Sequence, residues 1–182
     1  MGPATIEKAM AGDRDAFTAI VVHHGDRLFS TAYRILRDAH RPDDAVQQTF
    51  FLAWRELPGL RDVARFEAWL YRLLINACYA EIRQNKRWQP GLQLVTEAGQ
   101  TVDDAQLGVA RRDELERAFN RLPVEQRAVL VLHDYLGLSG AEIAEALGLS
   151  SGTVRSRLHR GRQQMRAAIE ADARPVTSGG AA

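Results

Sequence analysis

The sequence predicts an all-α protein: two small helical domains joined by a flexible linker, the second containing a helix-turn-helix. Three observations carry this prediction. Apolar residues recur at helical spacing over most of the chain, and no segment shows the alternating period of a strand. The stretch from Trp88 to about Val109 holds Pro90, Gly91, Gly99 and Gly108 and has no sustained period, as a linker does. The run Leu138–Arg162 contains a cap, a short apolar helix, a glycine stop, a second cap and a second helix. The expected division is 4–88 for the first domain, 89–110 for the linker, 111–171 for the second domain and 172–182 for a disordered tail.

Composition narrows the function. The chain has 182 residues, 46% of them hydrophobic, which suffices for a packed core. Its net charge is +1, so a nucleic-acid surface has to be local. Residues 1–88 and 115–182 each carry +2, while 89–114 carry −3, so two basic blocks flank an acidic connector. Cys78 is the only cysteine, which excludes an internal disulfide and a thiolate metal cage and fits a reducing cytoplasm. The N-terminus carries Glu7 and Asp13 without an apolar run, so no signal peptide is expected, and no stretch has the length of a membrane span. There is no Gly-rich phosphate loop and no nucleophile elbow. His23 and His24 lack a partner at ligand spacing. No enzyme activity, metal or cofactor is expected.

In chain order, residues 4–11 predict a short helix, broken and recapped at Gly12-Asp13. From Asp13 to about Arg37, the residues Phe17, Ile20, Val21, His24, Leu28, Ala32, Ile35 and Leu36 trace one helical stripe. Asp38 to Pro42 is a turn, with Pro42 suited to a helix's first positions. The helix Asp43–Leu57 has Val46, Phe50, Ala53 and Trp54 as its expected core face. Asp43, Asp44, Gln47, Gln48 and Phe51 group elsewhere, an acidic and amide-rich surface with one apolar knob. That surface reads either as an ordinary solvated face or as a docking site for a basic protein. Residues 56–65 form a loop around Pro58-Gly59 with few apolar anchors. Phe66 to Arg87 is a long helix, apolar in its first turns and basic at its end through Arg83, Lys86 and Arg87. Trp69, Tyr71, Arg72 and Tyr79 interleave aromatic and basic character, which suits single-stranded nucleic acid; packing in the core is the plainer reading and the expected one for Trp69.

In the second half, a helix over 111–120 precedes one that begins at Leu122-Pro123, with Val129, Leu130, Leu132 and Leu136 apolar and Gly137 as its end. Ser139 and Glu142 have the spacing of a capping box, Gly148 permits the positive φ that stops a helix, and Ser150 or Ser151 can cap the next. In that last helix Val154, Leu158, Gly161 and Met165 fall on one side and face inward. Ser156, His159, Arg160 and Gln163 face outward, with Thr153, Arg155 and Arg157 on the flanks. No acid occurs between Ala146 and Ile169, whereas Arg155, Arg157, Arg160, Arg162 and Arg166 do. A solvated face normally mixes signs, so this one is built for an anion, and phosphate suits the forked arginine donors. By position, Thr153, Ser156 and Arg157 are expected chiefly at bases, Arg160 and Arg162 chiefly at phosphates.

At this point the chain resembles a known family. Pro42–Trp54 (PDDAVQQTFFLAW) resembles the core-binding segment of bacterial sigma factors. Phe66–Arg83 (FEAWLYRLLINACYAEIR) resembles their promoter-melting helix, and Leu122–Leu130 (LPVEQRAVL) leading into Ser139–Arg162 resembles their C-terminal DNA-reading domain. Two domains without others is the layout of the extracytoplasmic-function group, and the resemblance spans roughly residues 4–170.

The resemblance implies a protein that joins core RNA polymerase and directs it to promoters. Asp43, Asp44, Gln47, Gln48 and Phe51 would bind the clamp coiled coil of the largest polymerase subunit. Loop 56–65 and helix 66–87 would hold the melted minus-ten strand, with Arg61, Arg65, Arg72, Asn76, Arg83, Lys86 and Arg87 as its contacts. Ser151, Thr153, Arg155, Ser156, Arg157, His159, Arg160 and Arg162 would read the minus-thirty-five duplex. The linker would thread the polymerase's template and RNA-exit path. An anti-sigma factor is implied as a further partner, and the location is cytoplasmic, at the nucleoid within the holoenzyme or held at the membrane by that partner. Two departures stand out: Gln48 where the family commonly carries Glu, and Ile75 where Arg is frequent. The rival reading is a helix-turn-helix regulator that never joins polymerase; it accounts for residues 122–170 and leaves 42–87 without a role.

Overall fold

The computed structural model describes residues 1–37, 41–88 and 106–172. Everything regular in them is helical: α1 (Pro3–Met10), α2 (Arg14–Leu36), α3 (Arg41–Glu56), α4 (Phe66–Trp88), α5 (Gln106–Asn120), α6 (Val124–Leu130), α7 (Gly140–Leu147) and α8 (Ser151–Asp172). The turn at 38–40, the stretch 89–105 and the tail 173–182 lie outside the described residues, so the expected linker and tail are met only at their edges. At those edges α5 begins at Gln106, inside the expected linker, and α8 continues through Asp172. There Asp172 accepts from Arg121 at 3.0 Å and lies 3.8 Å from Arg117, which ties the end of α8 to α5.

The first four helices form one packed unit. Gly12 takes a φ of 92°, and the Asp13 carboxylate accepts from the backbone N–H of Asp15 and Ala16, so α2 starts where the break was expected. The α2 stripe is buried at Ile20, His24, Leu28, Ala32, Ile35 and Leu36, while Phe17 and Val21 are only partly covered. Arg37 caps the helix in the left-handed region at φ 55°.

The core face of α3 differs from expectation. Ala45, Thr49 and Ala53 are fully buried, whereas Val46 and Phe50 are half-buried and Trp54 is exposed, its ring set edge-on to Phe17 at 4.9 Å. The reason is geometric: α3 is wedged between α2 and α4, and small residues four apart let both neighbours approach. Thr49 tolerates this burial by donating its hydroxyl to the Ala45 carbonyl at 2.7 Å. The loop after α3 is also better anchored than its composition implied. It folds as two 3₁₀ turns, Leu57–Gly59 and Val63–Arg65, and Leu57 is fully buried.

In the second half, Pro123 precedes α6, and the helix widens after Leu130 into one π turn over Val131–Tyr135, where the Leu136 N–H reaches the Val131 carbonyl. Gly137 at φ 74° ends it. The capping box is complete: Ser139 Oγ accepts from the Glu142 N–H, and Glu142 accepts from the Ser139 N–H at 2.7 Å. Gly148 closes α7 at φ 63°, and Ser150 Oγ accepts from the Thr153 N–H to open α8. Val154, Leu158 and Gly161 are buried and Met165 is partly covered, as the projection required. At Gly161 a β-carbon would come within 2.9 Å of Leu130 Cδ1, so a larger residue there requires Leu130 to shift. The buried apolar residues of both halves form one continuous cluster, because α4 also packs on α7 and α2 on α6.

Candidate functional site

Three surfaces collect the residues expected to function. The first is on α3. Asp43, Asp44, Gln47, Gln48 and Phe51 are all exposed, and Phe51 shows 58% of its surface, with the Arg55 guanidinium 5.8 Å from its ring. The two aspartates sit in the first turn of α3, where the helix dipole favours negative charge. Asp44, Gln47, Gln48 and Phe51 line one wall of an open groove whose other wall comes from α4, with Ala77, Ala80, Glu81 and Gln84. Glu81 and Gln84 escaped the sequence reading, because only the packing of α4 on α3 brings them there. Partial burial, and then the charge of Asp44, push the Glu81 carboxyl above its ordinary value, with Arg41 acting in the opposite sense. The groove is therefore a concentrated negative surface with an apolar knob at its edge, able to receive basic side chains on a helix or strand.

The second surface is the 3₁₀ loop and the start of α4. Leu60, Arg61, Asp62, Arg65, Trp69 and Arg72 line a cleft of about 410 Å³, in which Asp62 lies 3.4 Å from Arg65 Nε. Its three arginines are exposed, and Trp69 is half-buried, tilted against Phe66 at 5.9 Å; the core placement expected for Trp69 is thus met in part, with the ring also bordering the cleft. Arginines around an indole supply what a single strand needs, phosphate contacts and a stacking face. Asn76 and Arg83 are exposed further along α4. The side chains of Lys86 and Arg87 lie outside the described residues. Tyr71 does not serve as a stacking platform: it is 3% exposed, with the Arg27 guanidinium 6.0 Å from its ring, and burial pushes its hydroxyl up to about 12. Tyr79 is half-buried too, its hydroxyl likewise pushed up to about 12 by burial, against an opposing influence from Arg157. Ile75, one of the two departures, is fully buried, so this position offers DNA nothing.

The third surface is α8. Ser151, Arg155, His159, Arg160 and Arg162 are exposed, while Thr153, Ser156 and Arg157 are half-buried. Two of the predicted contacts have internal partners. The Thr153 hydroxyl is 2.9 Å from Ser150 Oγ, and Arg162 donates to Asp134 at 2.7 Å. Arg155 and Arg160 make up the exposed cationic pair of the helix's first three turns.

Between the second and third surfaces the two halves touch. Arg65 Nη1 lies 2.7 Å from Glu145 on α7, and Glu145 and Ala146 complete the wall of the arginine cleft. Arg37 donates to Glu116 at 3.1 Å and to the Asn120 side chain, and the Arg34 guanidinium stacks over Tyr135 at 4.0 Å. None of these cross-contacts was visible in the sequence. No helix among the described residues is long and apolar enough to cross a membrane, and no group of His, Cys, Asp or Glu among them could hold a metal ion.

A helical unit followed by a helix-turn-helix unit, with an acidic groove on one and a basic helix on the other, defines an all-α protein whose second unit has a DNA-binding architecture. The comparisons say which kind. Residues 20–88 match the family model for sigma-70 region 2, and residues 112–165 match the model for sigma-70 region 4. The chain is 30% identical to the extracytoplasmic-function RNA polymerase sigma factor SigW of Bacillus subtilis, over 88% of this chain and 92% of that one. It is 35% identical to the sigma factor SigE of Mycolicibacterium smegmatis, over 85% of this chain but 63% of that longer one. Among solved structures, CnrH in complex with the cytosolic domain of CnrY is similar with a TM-score of 0.66 and 31% identity, covering 94% of this chain and 98% of the other. The chain belongs to the extracytoplasmic-function sigma factors. Their place is in promoter-directed transcription initiation, and the rival reading fails because residues 20–88 are themselves a sigma region.

Proposed function

We propose that this protein is an alternative sigma factor whose first unit, 4–88, docks on core RNA polymerase and opens the minus-ten element, and whose second, 111–171, reads the minus-thirty-five element. The observation that carries the reading is the distribution of charge: one groove with Asp44 and Glu81 and no cation in its lining, one cleft in which Arg61, Arg65 and Arg72 outnumber Asp62 and Glu145 around Trp69, one helix with no acid before Glu170. Polymerase binding is assigned to Asp43, Asp44, Gln47, Gln48 and Phe51, joined by Glu81. The melted strand is assigned to Arg61, Arg65, Arg72, Asn76 and Arg83. Arg155, His159 and Arg160 are assigned to the outer DNA contact, with Thr153, Ser156 and Arg157 at its edge. Such a protein positions polymerase and carries no catalysis of its own. An anti-sigma factor remains among its proposed partners, supported by the solved complex of the similar CnrH with the cytosolic domain of CnrY. Its place of action is the cytoplasm.

Run-off transcription with core polymerase tests the reading. Core plus this protein should initiate at promoters that core alone ignores, and Asn76→Ala should lower open-complex formation on duplex templates, with partial recovery when the minus-ten region is supplied unpaired. Absence of any promoter-specific transcript over a genomic library would overturn it.

A further inference from the structure

His24 sits in the seam between α2 and the start of α4, only 5% exposed, and its Nε2 has no hydrogen-bond partner. A buried ring nitrogen in that state has lost its hydration and gained nothing in exchange, so its presence calls for a reason. The neighbouring rings supply one. His24 is the second of four rings in a row: His23 to His24 is 4.8 Å, His24 to Phe66 is 5.7 Å, and Phe66 to Trp69 is 5.9 Å, centre to centre. The row begins at exposed His23 and ends at Trp69, which is half-buried and borders the arginine cleft. Phe66 is the link. It is 1% exposed and opens α4, directly after the 3₁₀ turn that ends at Arg65. In a close-packed interior a ring that turns displaces the ring it touches. A movement at His24 is therefore passed to the stacking wall of the cleft and to the turn beside it.

Burial and four neighbouring groups set the charge of His24. Burial acts most strongly against a proton, and His23, the terminal amine and Arg27 act in the same sense, while Glu67 on α4 favours one. Tyr71, in the same seam, also has a buried hydroxyl without a partner, but burial pushes it up to about 12 and it stays neutral. His24 is thus the group of this seam whose charge changes near neutral pH. The neutral ring packs on Phe66. The charged ring has to reach water or the Glu67 carboxylate, next to Phe66 in the first turn of α4, and both draw it off Phe66.

We propose that His24 is a positioning residue for the melted strand: its neutral ring holds Phe66, and through it Trp69, at the wall of the arginine cleft, and its protonation loosens that wall and weakens single-strand binding. This rests on the assignment of the cleft to the melted strand. The coupling is reciprocal, so a bound strand also makes the ring harder to protonate. The window lies below the ordinary histidine value of 6.5, because the folded ring already resists the proton. One proton limits the slope to about tenfold in affinity per pH unit.

The test uses the full chain with Trp54→Phe and Trp88→Phe, which leaves Trp69 as the one tryptophan. Two quantities are followed from about pH 7.5 to about pH 5: Trp69 emission without DNA, and affinity for a labelled single-stranded oligothymidine, a suitable probe because stacking tolerates any base. The parent should show one emission transition below pH 6.5, with affinity falling across it by up to about tenfold per pH unit. His24→Gln should abolish the emission transition and flatten the fall in affinity. Exposed His23 and His159 titrate in both proteins and cancel in the comparison. Glu67→Gln keeps the histidine and alters only an exposed side chain, and it should move both transitions to lower pH, since the carboxylate favours the proton. A purely structural histidine would show no such shift. An emission transition that persists in His24→Gln, or that Glu67→Gln leaves in place, would overturn the proposal. So would an affinity with the same pH dependence in parent and His24→Gln. Failure of the parent to bind oligothymidine at any pH would instead strike the assignment of the cleft, and the emission measurement would still decide whether His24 sets the Trp69 wall.

Discussion

The first four helices present two candidate faces, and the rest of the chain treats them differently. The α3–α4 groove with Asp44, Gln47 and Glu81 is open to solvent and lined by those helices alone. The arginine cleft beside Trp69 is shared with α7 and carries Glu145 against Arg65. The face proposed for polymerase is free, and the face proposed for the melted strand is partly walled by the second half. On the proposed assignments the difference teaches that charge complementarity can steer a protein partner to the free face, while a strand entering the cleft has to displace Glu145 from Arg65.

The largest effect that can break this comparison is at the open face. Asp44→Arg combined with Gln47→Ala places a cation among the groove's acids and removes an amide. Because like charges set against each other cost several kcal/mol, affinity for core polymerase should fall by about a hundredfold or more, measured by co-purification or fluorescence anisotropy. Both residues are exposed, so the circular dichroism and melting point should hold. Unchanged co-purification would remove the groove from the docking surface. Glu81→Gln sharpens the same point: it should weaken docking by less, since one acid is neutralised and none reversed.

The next effect separates architecture from function in the second half. Gly161→Val pushes a branched side chain against Leu130, which is itself 3% exposed and must shift to admit it. Overpacking of this kind costs about 1–3 kcal/mol, read as a lower denaturant midpoint. Gly161→Ala should cost less, because the gain in helix propensity of about 1 kcal/mol offsets part of the strain. A fully stable Gly161→Val would show that the α6–α8 crossing is looser than its geometry.

What the sequence made legible, and what it hid, follows from the range of the interactions involved. The Ser139–Glu142 box, the Gly148 stop and the buried row Val154, Leu158 and Gly161 are set within a few residues of chain, and they form as read. The α3 core face was misread because amphipathic projection ranks side chains by size, while a helix wedged between two others buries its small ones: Ala45, Thr49 and Ala53 over Val46, Phe50 and Trp54. Tyr71 looked available for stacking beside Arg72, yet a step of one residue turns about 100° round the helix, from solvent into the core. Glu81, Glu145 and the Arg37 hub were invisible, since each acquires its role from a partner on another helix. All five residues assigned to docking lie together on the exposed face of α3; the eight on α8 divide, with Thr153 and Arg162 already bonded within the protein.

That division sharpens the prediction for DNA reading. Arg160 is exposed, whereas Arg157 is half-buried and within electrostatic reach of the Tyr79 hydroxyl. An arginine forked onto a guanine should cost about 1–3 kcal/mol on removal and relax one base preference. A phosphate contact should weaken every sequence alike and flatten the salt dependence. Selection of minus-thirty-five sequences with Arg157→Ala and Arg160→Ala holoenzymes distinguishes these. The expected outcome is altered preference for Arg157→Ala and uniform weakening for Arg160→Ala. The reverse would mean that α8 enters the groove rotated toward Arg160. Arg162→Ala should change least, because Asp134 already holds that guanidinium.

The smallest expected effect is on stability, at His24. It is 5% exposed, its Nε2 has no hydrogen-bond partner, and Phe66 lies 5.7 Å away ring to ring. Burial first, and the neighbouring His23 second, lower its pKa from the ordinary 6.5, with Glu67 opposing. The folded state therefore binds a proton at this site less readily than the unfolded chain does. Stability from the neutral ring is present above the unfolded value and is lost as pH falls below about 6.5, because the unfolded state then takes up protons that the folded state refuses. The urea midpoint should thus decline from pH 7.5 to pH 5.5, and His24→Gln should remove most of that slope while keeping a polar group of similar reach. A slope that persists unchanged in His24→Gln would place the pH sensitivity elsewhere. A midpoint that rises on acidification would mean that a carboxylate, with Glu67 the nearest candidate, pairs with the imidazolium and outweighs its burial.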